Sequence, residues 1–264
     1  MKKILLLLIV AIAISCSEDD SKEEYRSITL TERIQSDSHP VDKTESYSFL
    51  NNRVTNLNVK QVYVESETTF STQLVYEGNT IIRTDIFGNQ ATYILNSSGY
   101  VTQCQYKESD ITRDYTFSYS ANNYLERVDE SINGNPHSTL IISYKDGDIT
   151  SVALDGAPII YETGTDENKY ALPCLPLLES YPISYHKEAY FSGLLGKPNR
   201  HFVTRTAYEG NTEESTDYTY QFSTEGKPTS ISTRTKYIGE VWGKDGIPYP
   251  IPSIIQRKIN ISME

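Results

Sequence analysis

The chain has 264 residues and a formal net charge of −11, and hydrophobic residues make up only 38% of it. That acidity disfavours nucleic-acid phosphate and flat adsorption onto anionic lipid. The low apolar content predicts a thin core or one shared along an extended sheet, and 21 tyrosines beside 7 phenylalanines suit rings that bury while their hydroxyls stay wet.

The N-terminus reads "MKKILLLLIVAIAISC". Lys2 and Lys3 precede an apolar run from Ile4 to Ile14, too short for a spanning helix, and Ser15 stands before Cys16. This pattern predicts an export leader over residues 1–15. The end "AISC" resembles the lipobox of bacterial lipoproteins, with Ala13 where that motif usually has Leu. The resemblance implies cleavage before Cys16, which becomes the new N-terminus and carries the acyl chains; an ordinary secretory peptide cut near Ser15 is the alternative. Loss of Lys2 and Lys3 takes the charge to −13. "CSEDDSKEE", residues 16–24, predicts an acidic flexible tether, and it also resembles the surface-export signal of Bacteroidota lipoproteins. The expected address is the outer membrane, reached through lipid and without a transmembrane helix, with the second resemblance implying display at the cell surface.

From Tyr25 onward one phrase recurs. "YSFLNNRVTNL" (Tyr47–Leu57), "TYILNSSGYVTQC" (Thr92–Cys104), "YTFSYSANNYLERV" (Tyr115–Val128), "LIISYKDGDITSV" (Leu140–Val152) and "YTYQFSTEGKPTSI" (Tyr218–Ile231) share a grammar of strand, turn, strand. Tyr115, Phe117 and Tyr119 alternate with Thr116 and Ser118, which is the period of a strand with one buried face. The turns carry residues that tolerate positive φ: Asn51–Asn52, Ser98–Gly99, Asn122–Asn123, Asp146–Gly147 and Glu225–Gly226. After each turn, apolar residues often stand three apart, as in Val54 and Leu57, Leu125 and Val128, or Ile149 and Val152. Strict alternation would set those partners on opposite faces, so the spacing predicts a β-bulge at the same place in each unit. Consecutive hairpins of this kind predict an all-β fold, a long antiparallel meander curled into an open or closed barrel-like sheet.

Residues 168–198 break the grammar. Pro173, Pro176 and Pro182 exclude regular strand, and Leu172, Leu175, Leu177 and Leu178 are too apolar for an exposed loop. "ISYHKEAYFSGLLG" offers a short helix stopped by Gly193 or Gly196. The segment is expected to pack across the sheet as an irregular plug, either filling the core or acting as a lid. Near the C-terminus, "GEVWGKDGIPYPIPSIIQRKI" holds the single Trp and predicts a loop folding back before a final strand, Ser253–Ile261. On such a loop Trp242 and Tyr249 are candidates to stack on a ligand.

The stretch from Phe191 to Ile231, with "GLLGK", a Tyr-rich hairpin and a "GKPT" turn, resembles the C-terminal part of a Bacteroidota lipoprotein family, a domain of unknown function with a porin-like β fold. The hairpins are also similar to YD repeats, without their regular spacing. The resemblance implies a single domain from residue 25 to 264; the family has no established activity, so it carries no site residues over.

Chemistry is sparse. His39, His137, His186 and His201 form no metal-binding pair, and there is no nucleophile elbow, P-loop or dinucleotide fingerprint. His186 and His201 flank the irregular segment and are candidate ligand contacts facing a cavity. Cys104 and Cys174 are either a disulfide of the oxidising envelope or two buried thiols. No catalysis, cofactor or metal is expected, and the oligomeric state is left open. The expected role is a binding or accessory module for a glycan, lipid or protein ligand; the alternative is a lipid-handling half-barrel with an apolar ligand under the lid. An empty apolar cavity beneath Leu172–Leu178 would mark the lipid reading, a line of exposed Tyr and Trp the glycan reading, and convergent carboxylates or histidines an enzyme.

Overall fold

A computed structural model describes residues 27–34, 41–211, 213–242 and 248–264, with the side chains of 240–252 excepted. The leader, the tether, Cys16 and His39 lie outside the described residues. The strands are β1 (Ser27–Ile34), β2 (Val41–Leu50), β3 (Arg53–Val62), β4 (Glu67–Glu77), β5 (Thr80–Asp85) and β6 (Gln90–Leu95). Then come β7 (Val101–Glu108), β8 (Ile111–Tyr119), β9 (Leu125–Ile132), β10 (Asn135–Lys145), β11 (Asp148–Leu154) and β12 (Ile159–Glu167). After the irregular segment follow β13 (His201–Tyr208), β14 (Ser215–Phe222), β15 (Pro228–Trp242) and β16 (Pro248–Met263).

Each strand pairs antiparallel with its neighbours in sequence, and β1 pairs with β16. The sheet is therefore a closed barrel, which corrects the open and half-barrel forms of the expected meander. Ser27 and Glu264 seal the seam by exchanging backbone hydrogen bonds of 2.8 and 3.0 Å.

Alternation sorts each strand into a dry and a wet face. Tyr47, Tyr93, Tyr115, Phe117, Leu140 and Ile142 point inward and are almost fully buried. The outward positions are mainly polar: Thr44, Ser46 and Ser48 on β2, Asp114, Thr116 and Ser118 on β8, and Gln256, Lys258 and Asn260 on β16, with Val75, Ile141 and Ile254 as exposed apolar exceptions. Around the plug the barrel is dry inside, and its outer face is mainly hydrophilic.

The bulges fall where the three-residue spacing predicts them. Register slips leave Thr55, Thr102, Glu126, Thr150 and Thr229 as the extra residue of their hairpins. A bulge interrupts the ladder and robs a partner carbonyl of its donor. Threonine restores it: Thr102, Thr150 and Thr229 donate their hydroxyls to the carbonyls of Ile94, Ser143 and Gln221 at 3.1–3.2 Å. Thr204 does the same for Glu162. Its β-branched side chain also suits extended backbone.

A sixteen-stranded barrel is too wide for wall side chains alone to fill. The segment between β12 and β13 fills it. It enters and leaves at the end where the chain starts, which we call the closed end; Asn168 N–H donates to Arg200 O there, and Arg200 N–H to Gly147 O. Inside the barrel it forms α1 (Leu175–Leu178), a 3₁₀ turn (Ile183–His186) and α2 (Lys187–Phe191). Leu177, Ile183, Ala189 and Leu195 are at most 1% exposed, and Phe191 stacks on Tyr47 with ring centroids 4.0 Å apart. The core-filling alternative of the plug is the observed one. Gly196, of the "GLLGK" element, sits at φ 94° with room for no Cβ, which would lie 2.8 Å from Asn123 O. Only glycine lets the plug's exit close so tightly on the β8–β9 turn. Cys104 and Cys174 are separate buried thiols, not a disulfide, and burial pushes each up to about 12.

The C-terminal region departs from expectation. Its proline stretch is no loop: Pro248, Pro250 and Pro252 oppose Trp242, Glu240 and Ile238, extending the β15–β16 ribbon past its neighbours. Lacking N–H groups, the prolines fit only positions whose backbone points away from the partner strand. Consistently, Ile238 N–H points outward, to the Glu214 carboxylate at 3.2 Å.

Two measurements test this core. Thr102→Val keeps the backbone preference and removes only the hydroxyl, so it should lower unfolding stability by about 1 kcal/mol in a denaturant titration. His186 is walled in by Tyr93, Tyr115 and Phe117, and burial, helped by Arg83, holds its imidazole down to about 3 against an ordinary 6.5. Between those values the unfolded chain binds a proton that the folded one refuses, so stability is full above pH 6.5 and falls as pH drops. The His186→Phe protein, although offset at all pH by the lost Tyr93 bond, should lose the decline that His186 causes and stay flat from pH 6.5 to about 5.5. Below that, the depressed Glu45 and Glu130 carboxylates add their own loss.

Candidate functional site

Among the described residues none closes the end of the barrel opposite the plug's entry, called the open end, and the plug forms its floor. Wall and plug meet there through charged pairs. From β5, Arg83 Nε donates to Glu188 of α2 at 3.1 Å. Glu45 of β2 receives Lys187 of the plug at 3.0 Å and Lys43 at 2.6 Å. Arg257 of β16 bridges Glu32 of β1 and Glu179 of the plug, each at 2.9 Å. Glu130 of β9 accepts from Arg113, Tyr115 and Ser138, each at 2.9 Å, and from Tyr181 of the plug.

Glu32, Glu45 and Glu179 share one cleft while Glu130 and Glu188 stand apart, and each is paired with a cation. Burial pushes Glu130 up, yet the hydrogen bonds from Tyr181, Arg113, Ser138 and Tyr115 outweigh it and hold it below the usual range. In Glu45 burial is likewise outweighed, by the Lys187 and Lys43 ammonium groups. Both are held in the ionised state at neutral pH, and the arrangement is a clamp on the plug. Among the described residues no group of His, Cys, Asp and Glu side chains is arranged to hold a metal ion.

Between plug and wall lies a small cleft of about 50 Å³, lined by Glu32, Lys43, Glu45, Glu179, Lys187 and Arg257 over Leu30, Leu175, Leu178 and Ile259. A second void, of about 10 Å³, lies beside Leu172 and Cys174. That second void has room for about one water.

Above the floor the inner wall is wet and mixed in character, with Gln61, Thr68, Asp85 and Glu108 at inward positions among apolar side chains. Ile34, Phe70, Ile111, Leu154, Tyr208 and Ile255 face inward at the open end and are 37–50% exposed. Their ladder partners fix the direction: Ile34 opposes Val41, Phe70 opposes Val59, and Ile255 opposes Thr235. Tyr185 tops the plug, with the Arg113 guanidinium 5.9 Å over its ring. Exposed tyrosines are thus present, but they alternate with aliphatic side chains and form no continuous aromatic line.

The two histidine candidates do not meet. His186 is fully enclosed in the plug, its Nδ1 3.1 Å from the Tyr93 hydroxyl, and cannot touch a ligand. His201 lies at the closed end, where its Nδ1 is 2.7 Å from Asp148. Trp242 and Tyr249 belong to the β15–β16 ribbon at the open end, and their side chains lie outside the described residues. The mouth itself was missed because its residues look like ordinary inward positions. What could have found it is the apolar residue at the last inward position of some strands before the open end, Ile34, Leu154 and Tyr208 among them.

Among solved structures, the chain is similar to a porin-like protein from Bacteroides uniformis ATCC 8492, with 27% identity, a TM-score of 0.80, and coverage of 91% of this chain and 98% of that one. A porin-like protein from Bacteroides vulgatus ATCC 8482 shares the fold at 10% identity and a TM-score of 0.56, over the same shares of both chains. No curated protein matches. The family model described as "Domain of unknown function (DUF4595) with porin-like fold" matches residues 27–230, and the chain belongs to that family.

Proposed function

We propose that the protein is a lipid-anchored module of the outer membrane that stands on its plugged end and binds its ligand in the open mouth. The observation that carries the reading is the polarity of the barrel. Ser27, where β1 begins, lies at the plugged end beside Glu264, so the stretch leading back to Cys16 leaves from the end opposite the mouth. Acyl chains on Cys16 would therefore hold the plug toward the lipid and turn the mouth toward the medium.

Conduction is the function that the fold's name suggests, and two features weigh against it. Membrane-spanning barrels carry an apolar band outside and a polar lumen within. Here the wall is inverted, and serines, threonines and charged side chains in the outer band would face hydrocarbon without partners. The lumen, moreover, is filled from Leu172 to Leu195 by buried side chains. A barrel of this kind belongs beside a membrane, held by a tether.

The test is fractionation of cells expressing Cys16→Ala. The variant should move from the membrane fraction to the soluble one while its thermal unfolding stays that of the parent. Membrane retention at the parental level would refute the anchor.

A further inference from the structure

We propose that the mouth takes a cationic amphipathic polypeptide segment, an inference that rests on the mouth being the binding face. Six inward side chains there, Ile34, Phe70, Ile111, Leu154, Tyr208 and Ile255, are too exposed to be core and enclose a concavity. Soluble proteins seldom leave apolar surface of this extent in water unless something covers it. The neighbouring turns add Tyr63, Val64, Ile86 and Phe87, all exposed.

Charge selects the occupant. The described turns at the open end, residues 63–66, 86–89, 109–110, 133–134, 155–158, 209–211 and 213–214, carry Glu65, Asp110, Asp155, Glu209, Glu213 and Glu214 and no Lys or Arg. The closed end is more evenly balanced: Lys169, Lys197, Arg200 and Lys227 stand there beside Asp146, Glu225 and Glu264. The floor of the mouth contributes little net charge, because Arg257, Lys43 and Lys187 are matched by Glu32, Glu179 and Glu45. An arriving ligand therefore meets a negative rim, a wall of apolar side chains interleaved with Gln61, Asp85 and Glu108, and a neutral floor.

Anionic lipids and phosphorylated glycans are repelled by that rim. A neutral sugar would stack on Tyr208 and Tyr185 but leave Ile34, Ile111, Leu154 and Ile255 against hydroxyl groups. A polypeptide segment with apolar side chains on one face and Lys or Arg on the other satisfies wall and rim together, and electrostatic steering raises its rate of encounter.

The experiment uses the full-length chain with Cys16→Ala, so that no acyl chain or detergent competes for the mouth, and fluorescence anisotropy as readout. The probe is a labelled helical peptide of Lys and Leu in amphipathic order, compared with oligolysine and with the Glu/Leu counterpart. The Lys/Leu peptide should bind at least about tenfold more tightly than either comparison, a difference of about 1.4 kcal/mol. The exposed-site variants Ile111→Asp with Tyr208→Asp, and separately Asp110→Lys with Glu213→Lys, should each weaken it about tenfold. Lys169→Glu with Lys197→Glu, at the closed end, should leave it unchanged. Equal binding of oligolysine would reduce the effect to diffuse attraction and overturn the proposal. Binding indifferent to both mouth variants would overturn the proposal and the mouth as a site together. A soluble cello-oligosaccharide that binds, and is lost with Ile111→Asp and Tyr208→Asp while the Lys/Leu peptide fails, would overturn the polypeptide alone and leave the mouth standing. No binding by either probe would overturn the proposal.

Discussion

The constraint on which the architecture depends is the width of its own barrel. Sixteen strands enclose more space than inward side chains can fill, and an unfilled apolar lumen would lose dispersion contacts along every strand. The chain meets this by inserting one continuous segment between β12 and β13, and the composition of that segment follows from the need. Leucines and aromatic rings pack against the wall, while prolines and short helices let the backbone turn within a confined volume. Once the lumen is filled, the wall has no cause to be polar inside or apolar outside. The fold shares its outline with membrane pores while reversing the distribution of polarity that makes them pores.

Filling is non-directional, so something else must set the plug's orientation. The charged contacts do so. Arg83 with Glu188, Lys187 with Glu45, Arg257 with Glu179, and Tyr181 with Glu130 tie four positions of the plug to four different parts of the wall. Buried ion pairs add little net stability after desolvation, but breaking one leaves an uncompensated charge in a poor solvent. A plug rotated or shifted by one turn would break several at once. The pairs lie toward the open end, where partial hydration lowers their desolvation cost, whereas the closed half is sealed by hydrophobic contacts and by Gly196.

The meander, its turns and its bulges were legible because they are local. Alternation of Tyr115, Phe117 and Tyr119 is a property of neighbouring residues, as is the three-residue spacing of Val54 and Leu57. The bulge threonines were legible too and went unread: Thr55, Thr102, Thr150 and Thr229 stand in the same place in "VTNL", "VTQC", "ITSV" and "PTSI", the position whose hydroxyl must replace a lost backbone donor. Closure was not legible, since β1 and β16 meet across the length of the chain and nothing in either strand names the other. Nor were the plug's partners; Glu45 and Lys187 are 142 residues apart, and Glu32 and Arg257 are 225 apart. His186 misled for a physical reason, because an imidazole in a mixed segment has the same letters around it whether it faces water or three aromatic rings. The final ribbon misled because prolines normally end strands; here they sit at alternate positions, where the missing N–H would in any case point outward.

The two ends of the barrel differ in charge as well as in packing, and the two differences act in the same direction. A membrane with anionic headgroups attracts basic residues near its surface by about 1 kcal/mol each and repels acidic ones, within a Debye length. Lys169, Lys197 and Arg200 are exposed at the closed end, while Glu65, Asp110, Asp155, Glu209 and Glu213 are exposed at the open one. Under the anchor proposed above, a tether alone would leave the barrel free to tumble. Charge separated along the barrel axis would bias that tumbling toward the plug facing lipid, and the acidic rim would resist the inverted pose in which the mouth lies against the bilayer. The net charge of −11, which on its own argued only against polyanion partners, thus gains a direction once the strands assign each residue to an end.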